Sequence, residues 1–151
     1  METRNYWGYR IDITNVEYFW NELLNGRLRQ GWGWLGDQDL RNPNIAEDEG
    51  ARKNIPMIER VKENDILLVP GLPDSNNVTI VEATEDWDTG YRFQINEAMN
   101  DYGHIFPARY IRHFARYSGS VPNSIMSTLR CERRFWNIRD SDEDIEILLR
   151  T

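Results

Sequence analysis

Tyr6, Gly8, Arg10 and Asp12 alternate with Trp7, Tyr9, Ile11 and Ile13, the period-two pattern of a strand with one buried face. The period then changes. Val16, Phe19, Trp20, Leu23 and Leu24 fall at i, i+3, i+4, i+7 and i+8, which predicts an amphipathic helix stopped by Gly26. Thr14 and Glu17 have capping-box spacing at its start, and Ile13 and Tyr18 are placed to close over it as a hydrophobic staple. In the next segment, 27–37, glycines recur among bulky aromatics in Gly31-Trp32-Gly33-Trp34, a pattern that suits neither helix nor regular strand. An ordered loop is expected there.

A short helix from Ile45 to about Asn54, capped by Asn44, is predicted to end before the Ile55-Pro56 pair, because the residue preceding proline is pushed out of helical space, and Pro56 can open another turn reaching Val61. Ile66-Leu67-Leu68-Val69 is an apolar run of strand length bounded by Pro70-Gly71, as expected for a central strand. Turn residues 74–77 lead into the β-branched stretch from Val78 to Thr84, so residues 66–84 read as a hairpin. Tyr91–Ile95 alternates again and suggests a third antiparallel strand. His104-Ile105-Phe106 reads as a short strand closed by Pro107. Pro122 suits a first helical turn, with Ile125, Met126 and Leu129 on one face, and Phe135–Ile138 looks extended. Ser141–Asp144 is a second capping signature ahead of a final helix with Ile145, Leu148 and Leu149 as its stripe.

These elements describe an α+β chain, and 151 residues with 40% hydrophobic content fit one domain over residues 1–151. No apolar run is long enough for a membrane span or a signal peptide, so a cytoplasmic protein without a membrane partner is expected. One cysteine and two histidines make a structural zinc improbable, and no cofactor or metal is expected. The net charge of −7 argues against bulk phosphate attraction, but the charge is unevenly spread. Between His104 and Arg139 seven arginines face a single acid, Glu132. All but two of the 18 cations are arginines, the side chain suited to bidentate contacts with phosphates and base edges. Pairing of those arginines with the chain's own carboxylates is an equal alternative.

Sorting the six tryptophans by context assigns Trp7, Trp20 and Trp136 to the core. Trp32, Trp34 and Trp87 stand beside glycine or aspartate in apparent loops and are the binding candidates. Exposed aromatic faces stack on planar bases, at about 1–3 kcal/mol per base. Packing of the same rings in a second core layer is the competing explanation. Asp37 and Asp88 lie next to these aromatics, where a carboxylate can accept from an exocyclic amino group. The pairs Asp37/Asp39 and Asp86/Asp88 could instead hold a divalent cation, and Cys131 near arginines could be a reactive thiol. Neither comes with the partners that catalysis needs. No glycine loop followed by lysine cradles a nucleotide phosphate.

Taken in order, Tyr6-Trp7-Gly8-Tyr9, the first helix, Gln30-Gly31-Trp32-Gly33, Asn64–Val69, His104–Pro107 and Trp136-Asn137-Ile138 resemble the PUA-like superfamily. Within it the pattern is most similar to the EVE-like and YTH-like modified-base-reading domains of modification-dependent restriction systems. The resemblance implies a PUA-like curved β-barrel of about five to six strands flanked by helices, which holds a flipped, modified base in an aromatic cage. Flipping costs a few kcal/mol that pocket contacts must offset. It implies a non-catalytic reader of nucleic acid carrying a modified, for example methylated, base, with DNA favoured over RNA. The biological setting would be defence against foreign DNA, with an effector nuclease or motor subunit as a further partner. Carried onto this chain, Trp32, Trp34, Trp87, Asp88 and Asp37 would form the base pocket, and Arg109, Arg112, Arg133, Arg134 and Arg29 would contact phosphates. A protein-interaction module that uses the aromatic loop, and a metal-dependent nucleic-acid-processing enzyme, are the alternatives.

Overall fold

The apolar run read as a central strand is the middle of a mixed sheet. In a computed structural model that describes residues 4–31, 39–41 and 49–150, apart from the side chains of 49–54, β3 (Ile66–Pro70) is buried along its whole length. It pairs in parallel with β1 (Tyr6–Tyr9) and antiparallel with β4 (Asn77–Ala83). The ladder continues from β4 to β6 (His104–Ala115) and from β6 to β2 (Arg27–Gln30), while β7 (Phe135–Asn137) pairs with the other side of β1. The two-residue strand β5 (Arg92–Phe93) adds to the start of β6. The order β2-β6-β4-β3-β1-β7 curls into a half-barrel whose open edges are β2 and β7.

Both faces of the sheet are covered, which explains why β3 lacks alternation. Leu67 and Val69 enter one core with Trp7, Tyr9, Val81 and Phe106, beneath α1 (Val16–Leu24), α2 (Glu49–Arg60) and α3 (Trp87–Gly90). Ile66 and Leu68 enter a second core with Val78, Ile80 and Trp136, beneath α4 (Asn123–Thr128) and α5 (Asp142–Arg150). Gly8 lies opposite Trp136 in the β1–β7 ladder, and the indole fills the space a side chain at Gly8 would need. The fold is α+β with a curved sheet flanked by helices. Among the described residues no helix is long and apolar enough to cross a membrane.

Several local expectations change for physical reasons. Residues 27–30, expected in the loop, are β2: Leu28 lies opposite Phe106, both 1% exposed, so pairing with β6 supplies the order that local pattern does not. The helix predicted to end at Asn54 and the separate turn expected from Pro56 are one helix that runs through Pro56 to Arg60, because burial of Met57 and Ile58 outweighs the lost amide. Its expected cap, Asn44, lies outside the described residues. Pro107 does not close a strand but marks where β6 changes neighbours, from β2 to β4. Its carbonyl accepts from Thr84 N and the Trp87 indole. The third strand of the expected meander is reduced to β5, and it pairs with β6 instead of β4. At the start of the first helix, Asp12 rather than Thr14 provides the cap. Its side chain accepts from Thr14 N ahead of a 3-10 turn, and Ile13 is 74% exposed, so no staple closes over that end.

Candidate functional site

β2 and β7 are the two edges that the sheet ladder leaves unjoined, and side chains bridge the gap between them. Arg134, just before β7, donates from Nη1 to the carbonyl of Gly31, just after β2, at 2.8 Å. Gln30 Nε2 donates to the Arg10 carbonyl at 2.7 Å, and the Tyr9 hydroxyl donates to the Arg29 carbonyl at 2.7 Å. A cavity of about 290 Å³ opens in this seam. Arg10, Ile11 and Asp12 line it from the chain leaving β1, Gln30 and Gly31 from the end of β2, and Asp101 and Arg134 complete it. Gly31 must lack a side chain, since a Cβ there would press on Asp101 and on the Tyr102 amide.

The seam is polar, and most of its groups are committed. Gln30 is 2% exposed and uses both ends of its amide, because Oε1 also accepts from Gly31 N at 3.2 Å. Asp12 Oδ1 accepts from Thr14 N and Oγ1, and Oδ2 accepts from the Tyr102 hydroxyl at 2.6 Å. These bonds, Thr14's first, hold the Asp12 carboxyl below the usual carboxylate range against the opposing effect of burial. Tyr102 has φ +62°, a left-handed conformation rare for a bulky residue. Burial first, then its bond to Asp12, pushes its hydroxyl up to about 12.

Beside the cavity lies a group of guanidiniums. Arg10 reaches the carbonyls of Cys131 and Leu129 at 2.7 Å each, lies over the Trp136 ring, and shares the Leu129 oxygen with Arg116. Burial, and Arg116 nearby, lower the Arg10 pKa. Arg130, Arg133 and Arg134 are exposed on the same connection between α4 and β7, with Glu132 as the one acid of that connection.

The residues expected to form the site divide as follows. Trp32, Trp34 and Asp37 lie outside the described residues; Gly31, which precedes them in sequence, lines the cavity. Trp87 is not an open wall. It is 0% exposed, stacked on Phe106 at 4.4 Å with its indole N–H on the Pro107 carbonyl, so its faces are spent on packing. Asp88 is on the surface, 3.7 Å from Lys62, and does not line the cavity. Arg29 is 8% exposed and cannot reach a phosphate: it pairs with Glu22 and donates to the carbonyls of Gln94 and Tyr102. Arg109 is bound by Glu82 at 2.6 Å, and Arg112 leans on the Leu149 carbonyl. Arg133 and Arg134 alone of the expected set lie on the connection beside the cavity. Trp20, expected in the core, is half-buried against Tyr110.

Arg10, Asp12, Gln30 and Asp101 carry no site role in the sequence pattern, and Gln30 enters it only as part of the Gln30-Gly31-Trp32-Gly33 motif. Alternation along β1 assigns Arg10 and Asp12 to solvent, and only the curl of the sheet brings them to Gly31. Asp39 and Asp86 accept from the backbone amides of Arg41 and Glu63. Among the described residues no group of three or more His, Cys, Asp or Glu side chains could hold a metal. No family model, curated protein or solved structure matches the chain.

Proposed function

We propose that the seam cavity is a recognition pocket for a single modified nucleobase, in a PUA-like reader domain of the EVE-like or YTH-like kind that acts without catalysis. The observation that carries this reading is the cavity itself. It is small, it reaches Gly31, the residue before Trp32 in sequence, and it sets an ionised acceptor, Asp12, in the same space as a guanidinium donor, Arg134. A volume of about 290 Å³ lies at the lower end of the range for ligand sites and suits a single planar ring system. A base edge presents donors and acceptors side by side, and such a pair of walls can read it.

In this reading Trp32 and Trp34 supply the stacking faces, and Trp87 holds the sheet beneath α3 as a core residue. The phosphate track shifts from β6 to the Arg130–Arg134 connection, where guanidiniums are exposed and continuous with the pocket through Arg10 and Arg134. DNA is the favoured partner, in a setting of defence with a separate effector.

The test is intrinsic tryptophan fluorescence during titration with matched oligonucleotides, one carrying a single methylated base and the other unmodified. Tighter binding of the modified strand, lost in Trp32→Ala, supports the reading. Equal affinity for both strands sinks it.

A further inference from the structure

We propose that Asp12 is the acceptor that recognises the N–H edge of a bound base, and that Tyr102 is the residue that positions it. The proposal deepens the nucleobase reading and rests on it for the ligand. The donor–acceptor sequence in this part of the seam runs in one direction. Asn15 Nδ2 donates to the Tyr102 hydroxyl at 2.7 Å, which leaves the hydroxyl's own proton for Asp12 Oδ2 at 2.6 Å. A carboxylate oxygen has two lone-pair sites, so Oδ2 retains one acceptor position after Tyr102 has taken the other. Oδ1 already serves Thr14 twice.

Tyr102 is tied at each of its polar atoms. Its amide donates to Asp101 Oδ1 at 2.7 Å, its carbonyl accepts from Arg29 at 3.0 Å, and its ring packs edge-on against Phe19 at 5.1 Å. A tyrosine held this firmly in left-handed space, beside a cavity, is a backbone outlier of the kind that clusters at functional sites. The structure maintains the strained conformation, and what the conformation delivers is a hydroxyl aimed at Asp12. The part-buried pair Arg29–Glu22 thereby gains a purpose, since Arg29 anchors the Tyr102 carbonyl.

An oriented, ionised acceptor selects ligands that present N–H. An exocyclic amino group projects clear of the ring, whereas the N3–H of a uracil is flanked on both sides by carbonyl oxygens that would crowd the carboxylate; the ligand class is accordingly an amino-bearing base of the adenine or cytosine type, with Arg134 as the complementary donor toward its ring nitrogen or oxygen. A base that offers only an oxygen at that position is rejected, because two acceptors would then face each other. The charged and titratable groups around Asp12 are Arg134 from the far edge of the seam, Tyr102 and Asp101 from the segment before β6, and Arg10 from its own segment.

The experiment has two arms on the whole chain. Carboxyl 13C NMR follows the titration of Asp12 in the wild type and in Tyr102→Phe, without ligand. Fluorescence titration across pH then measures binding of single strands carrying one N6-methyladenine, one 5-methylcytosine or one 5-hydroxymethyluracil. In the wild type Asp12 should titrate below the ordinary carboxylate range, and Tyr102→Phe should move it upward. Binding of the amino-bearing strands should fall as pH drops through that point, with the same displacement in Tyr102→Phe, and Asp12→Asn should weaken it about tenfold or more. An ordinary Asp12 titration in the wild type, or none moved by Tyr102→Phe, overturns the positioning role. Full affinity and unchanged preference in Asp12→Asn, or tighter binding of the uracil strand, overturns the ligand role. If Tyr102→Phe does not fold, Asp12→Asn still decides the ligand role, and Asn15→Ala, which removes the donor that turns the Tyr102 hydroxyl toward Asp12, decides the positioning role by the same titration: an unmoved Asp12 overturns it. If all three strands bind equally or not at all, the nucleobase reading falls, and the ligand role with it; the ligand-free titration still decides the Tyr102–Asp12 pair.

Discussion

Arg134 Nη1 donates to the Gly31 carbonyl across 103 positions of sequence, and this bond ties together the two sheet edges that no backbone ladder joins. The edges of an open half-barrel leave unpaired main-chain groups. Here a guanidinium takes one of them, and the remaining gap is the cavity.

Because Arg134 is exposed, its bond to Gly31 should matter more to the pocket than to the fold. Arg134→Gln is expected to cost about 1 kcal/mol or less of stability in urea unfolding. Affinity for a modified-base strand should fall about tenfold, as expected when a charge-assisted donor is lost. A loss accompanied by a fall of about 1 in the slope of log affinity against log salt would show that Arg134 contacts phosphate and not the base.

Trp87 separates a packing role from a caging role. Trp87→Ala should destabilise the chain by about 3–5 kcal/mol, as for other large-to-small changes in a core. Trp87→Phe should retain most of the stacking on Phe106 and cost less. The folded fraction of either variant should keep its preference for the modified strand, as measured by fluorescence titration under native conditions. A stable Trp87→Phe protein that has lost that preference would return Trp87 to the site.

Two sets of arginines should behave in opposite ways with salt. Arg29→Ala leaves the carbonyls of Gln94 and Tyr102 without their donor while Glu22 keeps its pair with Arg27, and should cost about 2–3 kcal/mol of stability while leaving the salt dependence of binding unchanged. Replacing Arg130 and Arg133 together by glutamine should leave stability nearly unchanged. It should reduce the slope of log affinity against log salt by about 1 per arginine. An unchanged slope in the double variant would remove this connection from the phosphate track.

His104 makes stability depend on pH. It is 0% exposed, bonded through Nδ1 to the Tyr91 hydroxyl, and burial lowers its pKa to about 3. The unfolded chain, with its histidine near 6.5, therefore binds the extra proton throughout the window between, and stability must fall as pH drops below about 6.5. Between pH 7 and pH 5 the loss should be about 2 kcal/mol in urea unfolding, and His104→Gln should remove it. Asp12 and Glu22 have lowered values, so their contribution is present above the ordinary carboxylate range and is lost only as pH falls through about 4 and below. Comparing pH 7 with pH 5 thus isolates the histidine.

The sequence by itself determined those elements whose signal is local. The apolar run Ile66–Val69, the turn at Asp74–Asn77, the helix Val16–Leu24 and the final helix are each dictated by periodicity or turn chemistry within a few residues, and each stands in the structure, although Leu24 at the end of the first stripe is exposed. It also carried the α+β class and the burial of Trp7 and Trp136. Tertiary structure decided what depends on a partner far along the chain. Arg27–Gln30 has no strand pattern of its own and is ordered by β6. Trp87 looks like a loop residue until Phe106 is placed under it. Asp12, a polar position at the end of a strand, reaches Gly31 and Arg134 only when the sheet curls. The reason is the same in all three cases: a residue's role in a seam or a core is set by contacts from distant sequence, and a local pattern contains no record of them.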